Sequence, residues 1–274
     1  MRSGFQHPEI LDWFDRRNFG PSNPGPFAPD PGLLAELKRA KGLRASVCLP
    51  ALNEQTTVGD ICASIRTELM ERTGLIDELI VVDSGSEDDT ITVAAAAGPQ
   101  VYRGCDVFPQ VGHVLGKGEA LWKSLAVSSG DLICWCDSDI RNFDPRFIVG
   151  LFTPLLIDDE IKMTKGFYRR PLEGDPTGGG RVTELVVRPL LHLLYPTLTG
   201  LIGPLSGEYA LRRESRSRAS LLHPLRGRLG RIKLTEDLSD ALVQFIPKEN
   251  GPVAVRFDQE IIERPPMANV LLPT

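Results

Sequence analysis

Ala45-Ser46-Val47-Cys48-Leu49-Pro50-Ala51-Leu52, followed by Glu54 to Leu69, is the stretch that decides the fold. The first run is apolar enough for a buried strand, and in the second Val58, Ile61, Ile65 and Leu69 recur at helical spacing. The same pair of signals repeats downstream. Glu78 to Asp83 reads as a second strand with a helix over Asp89 to Ala97. Val101-Tyr102-Arg103 reads as a short third strand with a helix over Gly118 to Val127, and Asp131 to Cys136 as a fourth strand. Strands alternating with helices build right-handed βαβ units, so the expected class is α/β, a Rossmann-like, mostly parallel central sheet with helices on both faces. Beyond it, Phe147 to Leu156 is expected as a helix, Ile161 to Tyr168 as a strand, and Arg181 to Leu194 as an amphipathic helix that follows Gly178-Gly179-Gly180.

Toward the start of the chain, Pro31 to Ala40 reads as a helix with Leu33, Leu34 and Leu37 on one face. The first 32 residues hold six prolines and are expected to form an extended arm, with Ile10 to Phe14 as a short docked helix. A chain of 274 residues, 42% apolar, has material for one core. No apolar run approaches the roughly 20 residues of a membrane span. The sequence MRSGFQHPEI lacks the apolar centre of a signal peptide, so a cytoplasmic location is expected. The five cysteines, Cys48, Cys62, Cys105, Cys134 and Cys136, are odd in number and mostly in apolar runs, which suits reduced, buried thiols better than a disulfide set. Cys134 and Cys136 share one strand face, and no second Cys or His pair stands at zinc spacing.

In a parallel sheet of this kind, ligands bind at the carboxyl ends of the strands. Polar clusters follow three of the expected strands: Asn53-Glu54, Asp83-Ser84-Gly85-Ser86 and Asp137-Ser138-Asp139. The two carboxylates of Asp137 and Asp139 suit a hard divalent cation holding a diphosphate. The competing reading is a solvated turn whose Asp caps the next helix, and the Asp83 to Ser86 cluster has the same alternative, with Asp88 or Asp89 as the cap. Gly116-Lys117-Gly118 precedes a helix and could meet a phosphate there. It is no P-loop, since Gly112 to Lys117 is one residue short and Gly118 stands where Ser or Thr is required. Gly178-Gly179-Gly180-Arg181-Val182-Thr183 joins free amides to a guanidinium and a hydroxyl, a pocket for a small phosphorylated or carboxylated acid, against the plainer reading of a loop and an ordinary first turn. Arg169 and Arg170 lie just upstream. The net charge of -5 conceals residues 212–233, with eight basic and one acidic side chain. That block has no Phe, Tyr or Trp for base stacking, and the remaining basic residues gather near strand tips, which favours small anions over nucleic acid.

In this order the motifs resemble the glucosyl-3-phosphoglycerate synthase family, retaining glycosyltransferases of the GT-A fold (family 81). The matching stretches are Leu49 to Glu54, Asp77 to Ser86, Gly116 to Leu125, Gly130-Asp131 with Asp137-Ser138-Asp139, Lys165 to Leu172, Gly178 to Leu191, Pro204 to Ala210, Leu242 to Pro247 and Glu263 to Met267. The resemblance implies transfer of glucose from an NDP-glucose, typically UDP-glucose, to the 2-hydroxyl of D-3-phosphoglycerate with retention. It implies a GT-A nucleotide-sugar and acceptor-binding domain over 41–214, between an N-terminal arm and helix (1–40) and a C-terminal tail (241–274). It also implies Mg²⁺ or Mn²⁺ as cofactor and a homodimer. By motif position, Pro50, Ala51, Leu52, Glu54 and Ser84 hold the uridine part, and Lys117 meets the diphosphate. Asp137, Ser138 and Asp139 take the ribose, metal and donor phosphates, with Asp139 as the metal ligand. Gly180, Arg181 and Thr183 hold the acceptor.

The pattern breaks after Pro204 to Ala210. The family continues with a Gly-Tyr-Gly-Val-Glu segment and later an Arg-x-His segment whose histidine binds metal, whereas Ser215 to Asp240 here reads SRSRASLLHPLRGRLGRIKLTEDLSD. His223 lies between Leu222 and Pro224, unlike the family histidine, and takes no metal role. Two alternatives follow: a mannosyl-3-phosphoglycerate synthase using GDP-mannose, and a nucleotide-sugar-binding protein without turnover.

Overall fold

Pro50 has no amide hydrogen and would interrupt the ladder of a strand paired on both sides. The computed structural model, which describes residues 18–19, 30–112, 116–167, 182–194, 204–213 and 267–271, shows how this is avoided. Strand β2 (Ala45–Ala51) pairs with β3 (Glu78–Asp83) up to Ala51 but with β5 (Leu132–Trp135) only up to Cys48. Past that point the Pro50 carbonyl faces the β5 side and accepts from the Ser138 hydroxyl at 2.7 Å. The two strands therefore part, and a crevice opens between their tips.

With β1 (Asn18–Phe19), β4 (Gln100–Arg103), β6 (Met163–Phe167), β7 (Tyr209–Arg212) and β8 (Met267–Leu271), the sheet runs β1-β8-β6-β7-β5-β2-β3-β4. Among the described strands β7 alone is antiparallel to its neighbours. Helices cover both faces. Val47, Leu49, Ala51, Val81 and Cys134 share one core with α1 (Pro31–Ala40), α2 (Val58–Ile65) and α5 (Arg146–Ile157). Cys48, Ile80, Val82, Ile133 and Trp135 share the other with α4 (Lys117–Val127), through Ala120, Trp122 and Leu125. Helix α3 (Thr90–Ala96) links β3 and β4, and α6 (Arg188–Leu194) follows a π-helical turn over Thr183–Val187. The four thiols Cys48, Cys62, Cys134 and Cys136 are buried and unbridged, while Cys105 is exposed.

Most expected elements lie within a residue or two of their places. The helix expected from Glu54 starts instead at Val58 and ends in a π-helical turn over Arg66–Glu71. The cause is local. Asn53 adopts φ +59°, and the amides of Asn53, Glu54 and Gln55 bind side chains of the next loop rather than opening a helix. The arm, expected to hold no regular element at this point, contributes β1, and β7 and β8 are strands too short for periodicity to reveal. Ile10 to Phe14 and residues 215–240 lie outside the described residues.

Candidate active site

Strand order reverses between β2 and β5: β3 and β4 extend the sheet on one side of β2, and the chain then crosses to the other side to form β5. Such a reversal is where open α/β sheets bind ligands. Pro50, Ala51, Leu52, Glu54, Ser84, Lys117, Asp137, Ser138 and Asp139, the whole expected donor set, line one cleft there with Gly116, of about 220 Å³. The tips are tied together. The Ser138 hydroxyl is spent on Pro50, and its carbonyl accepts from Thr57 Oγ1 at 2.6 Å. Ser138 is buried, and its part in the cleft is to place Asp137 and the exposed Asp139 on either side of it.

The far wall is a pair of laced loops. Asn53 N donates to Ser86 Oγ (2.9 Å), Glu54 N to Thr90 Oγ1 (2.7 Å), and Glu87 N to the Asn53 side-chain oxygen (2.9 Å). Asp83 is a turn-maker, accepting from the amides of Gly85 and Ser86 at 2.9 and 3.0 Å. The amide of Thr90 at the start of α3 is met by Asp88 at 3.0 Å, while Asp89 makes no side-chain cap. The turn at Asp83 and the helix start at Asp88 thus both form beside Ser84, which lines the cleft.

Lys117 is the first residue of α4, and Gly116 before it sits at φ +143°, a conformation that favours glycine. The Lys117 ammonium pairs with the Asp137 carboxylate, so any anion that bound Lys117 would have to share or displace that contact. Asp139 differs. Among the described residues no hydrogen bond or ion pair engages its carboxylate. Burial, and then the charges of Asp139, Asp88 and Asp137, push the Glu54 carboxyl above its ordinary value. A pocket of mutually repelling carboxylates is chemically suited to a hard cation, although among the described residues no three His, Cys, Asp or Glu side chains gather as a metal cage. Of the residues expected at the acceptor, Thr183 opens the π-helical turn before α6 and is half-buried, while Gly180 and Arg181, with Arg169 and Arg170 upstream, lie outside the described residues.

Three further residues matter here that their local sequence did not reveal. Lys123 is fully buried and donates to the carbonyls of Gly104 (2.6 Å) and Gly112 (3.3 Å) while pairing with Glu119. Lys165, buried in β6, donates to the Ser206 carbonyl at 2.6 Å and lies 5.2 Å over the Tyr209 ring. Gly207 packs its bare Cα against the Asp137 carboxylate. All three fall within matching motifs, at 116–125, 165–172 and 204–210, but apart from Glu119 the partners named here lie more than ten positions away along the chain, out of reach of local spacing.

Burial lowers the Lys165 ammonium from its ordinary 10.5 to about 8, with Glu208 opposing the shift. Between those values the unfolded chain holds the proton and the native chain has released it, so this group makes stability rise with pH. The urea midpoint of Lys165→Met, compared with the wild type across that window, should lack this increment.

A mostly parallel sheet sandwiched by helices, with an acid pair and a lysine-headed helix at its switch point, is the architecture of a GT-A glycosyltransferase domain. The sequence profile described as "Glycosyl transferase family 2" matches residues 46–149. The glucosyl-3-phosphoglycerate synthase of Petrotoga mobilis is 50% identical over 185 residues, 66% of this chain and 57% of that protein. The crystal structure of the Mycobacterium tuberculosis glucosyl-3-phosphoglycerate synthase aligns with a TM-score of 0.64 at 37% identity, covering 89% of this chain and 76% of that one. The same enzyme with Mn²⁺, UDP and phosphoglyceric acid bound aligns at 0.60 and 47% identity, over 67% of this chain and 60% of that one. Mannosyl-3-phosphoglycerate synthase from Rubrobacter xylanophilus aligns at 0.67 with 40% identity, over 76% and 64% respectively. This chain belongs to the glucosyl-3-phosphoglycerate synthase family. It spans little more than half the length of the Petrotoga relative it matches.

Proposed function

We propose that the chain is a retaining glycosyltransferase that moves glucose from UDP-glucose to the 2-hydroxyl of D-3-phosphoglycerate. The observation that carries this is the convergence of every donor-side position in one cleft at the sheet's switch point. Pro50, Ala51, Leu52, Glu54 and Ser84 hold the uridine part between the laced loops. Lys117 meets the diphosphate, and Asp139, with Asp137 beside it, holds a Mg²⁺ or Mn²⁺ ion. When bound, that ion neutralises charge on the diphosphate. Lys117 exchanges its contact with Asp137 for the diphosphate as negative charge develops there. Gly180, Arg181 and Thr183 hold the acceptor's phosphate and carboxylate. Retention is assigned to front-face attack, with the acceptor hydroxyl losing its proton to the departing phosphate oxygen.

The test is phosphoglycerate-dependent nucleotide release across UDP-glucose, GDP-glucose and GDP-mannose with Mg²⁺. Binding of UDP-glucose without turnover would leave a nucleotide-sugar-binding protein, the reading that the unmatched 215–240 segment favours. A preference for GDP-mannose would move the chain to the mannosyl reaction, which the likeness to the Rubrobacter structure supports. Replacing Arg181 by alanine is expected to abolish transfer while UDP binding persists; full activity would remove its acceptor role.

No helix among the described residues is long and apolar enough to cross a membrane, and the setting proposed is cytoplasmic. A homodimer is proposed as well, supported by Leu185, Leu190 and Leu193 around α6, which are half to three-quarters exposed. Light scattering tests it directly.

A further inference from the structure

We propose that Gly207 and Lys165 are positioning residues for the donor cleft: Gly207 is the seat on which the Asp137 carboxylate is set, and Lys165 holds that seat in place through the Ser206 carbonyl. The ligand in this inference rests on the nucleotide-sugar reading above; the seat itself does not.

A Cβ built at Gly207 would lie 1.9 Å from Asp137 Oδ2, 2.4 Å from its Cγ and 2.6 Å from Oδ1. All three nearest atoms belong to one side chain. An added methyl therefore meets a carboxylate that can swing about χ1 rather than backbone that cannot, and the cost falls on the orientation of Asp137. That carboxylate is the partner of Lys117, so moving it also releases the ammonium at the head of α4.

The segment has little room to retreat instead. Lys165 donates to the Ser206 carbonyl at 2.6 Å, the Ser206 hydroxyl donates to the Gly166 carbonyl, and Gly166 N donates to the Glu208 carbonyl at 2.9 Å. Tyr209 pairs with Lys165 in the β6–β7 ladder and lies beneath its ammonium. A methionine would fill the same space without the cost of burying a charge. The ammonium's contribution here is the bond that fixes residue 206, and with it the approach of residue 207 to Asp137.

The experiment is a double-mutant cycle read by UDP titration in Mn²⁺, with the full chain. Gly207→Ala is expected to weaken UDP binding at least about tenfold in the wild-type background and less than about twofold in an Asp137→Ala background, because the two changes act on one group. Lys165→Met should repeat the pattern, and it carries the cycle should Gly207→Ala fail to fold. Undiminished UDP binding, or an equal loss in both backgrounds, overturns the proposal, since a general loss of structure would be indifferent to Asp137. A crystal structure of Gly207→Ala, or of Lys165→Met in its place, supplies the arm that needs no nucleotide. Separation of Asp137 from Lys117 supports the seat, and an unmoved carboxylate refutes it. If the wild-type chain binds no UDP, the nucleotide-sugar reading falls and that crystal structure still decides whether Gly207 and Lys165 set Asp137.

Discussion

Replacing Asp139 by alanine should lower phosphoglycerate-dependent UDP release by about 10³-fold or more, the equivalent of about 4 kcal/mol of lost transition-state stabilisation. The size follows from where the carboxylate stands. Asp137 is already answered by Lys117, whereas Asp139 is exposed at the mouth of the cleft, and no described residue pairs with it. Its charge is uncompensated within the described structure, and it is one of the charges that hold the Glu54 carboxyl above its ordinary value. A carboxylate kept among other carboxylates costs stability, and the proposed cation would offset that repulsion. Two accompanying results separate this from general damage. The variant should unfold no earlier than the wild type, because a repulsive charge has gone. Its UDP affinity should also cease to respond to Mn²⁺. Full transfer activity in Asp139→Ala would refute the metal role.

The largest stability effect is expected at Glu119. Lys123 is fully buried and Glu119 is 7% exposed, one turn apart on α4. Removing the carboxylate by Glu119→Ala leaves an ammonium in the core with the Gly104 and Gly112 carbonyls as its partners among the described residues. Breaking a buried pair in this way costs about 3–5 kcal/mol, a large part of the roughly 5–15 kcal/mol that a domain of ordinary stability possesses. Urea unfolding measures it. Replacing both residues, Glu119→Leu with Lys123→Met, should cost less than Glu119→Ala alone, since no charge is then stranded. A single-variant cost below about 1 kcal/mol would place the pair among solvent-screened ones and refute the argument. The pair also matters to the cleft, because the loop that Lys123 holds at Gly104 and Gly112 leads toward Gly116 and Lys117.

The convergence of the proposed donor residues in one cleft was legible from the sequence because it is built from local signals. Each cluster, Asn53-Glu54, Asp83 to Ser86 and Asp137 to Asp139, follows an apolar run, and a parallel sheet brings consecutive strand tips to one edge. The roles inside those clusters were less legible. Ser138 is expected at the donor and lines the cleft, and its hydroxyl donates to the Pro50 carbonyl, a contact that no local signal marks. Asp83 and Asp88 are consumed by the turn and the helix start that had stood as alternatives to ligand binding. The helix expected from Glu54 is delayed because Asn53 and its neighbours spend their amides on side chains more than thirty positions away.

By itself, then, the sequence determined the βαβ alternation, the strand tips that gather at one cleft and the family to which the chain belongs. Periodicity, turn residues and motif order all act within a few positions of one another. Only the tertiary structure decided that Lys117 rests on Asp137, that Lys123 staples the loop before it, and that Gly207 stands against the Asp137 carboxylate. Each of those contacts joins segments brought together by the order of strands in the sheet or the packing of helices on it, and side-chain spacing along the chain carries no record of either.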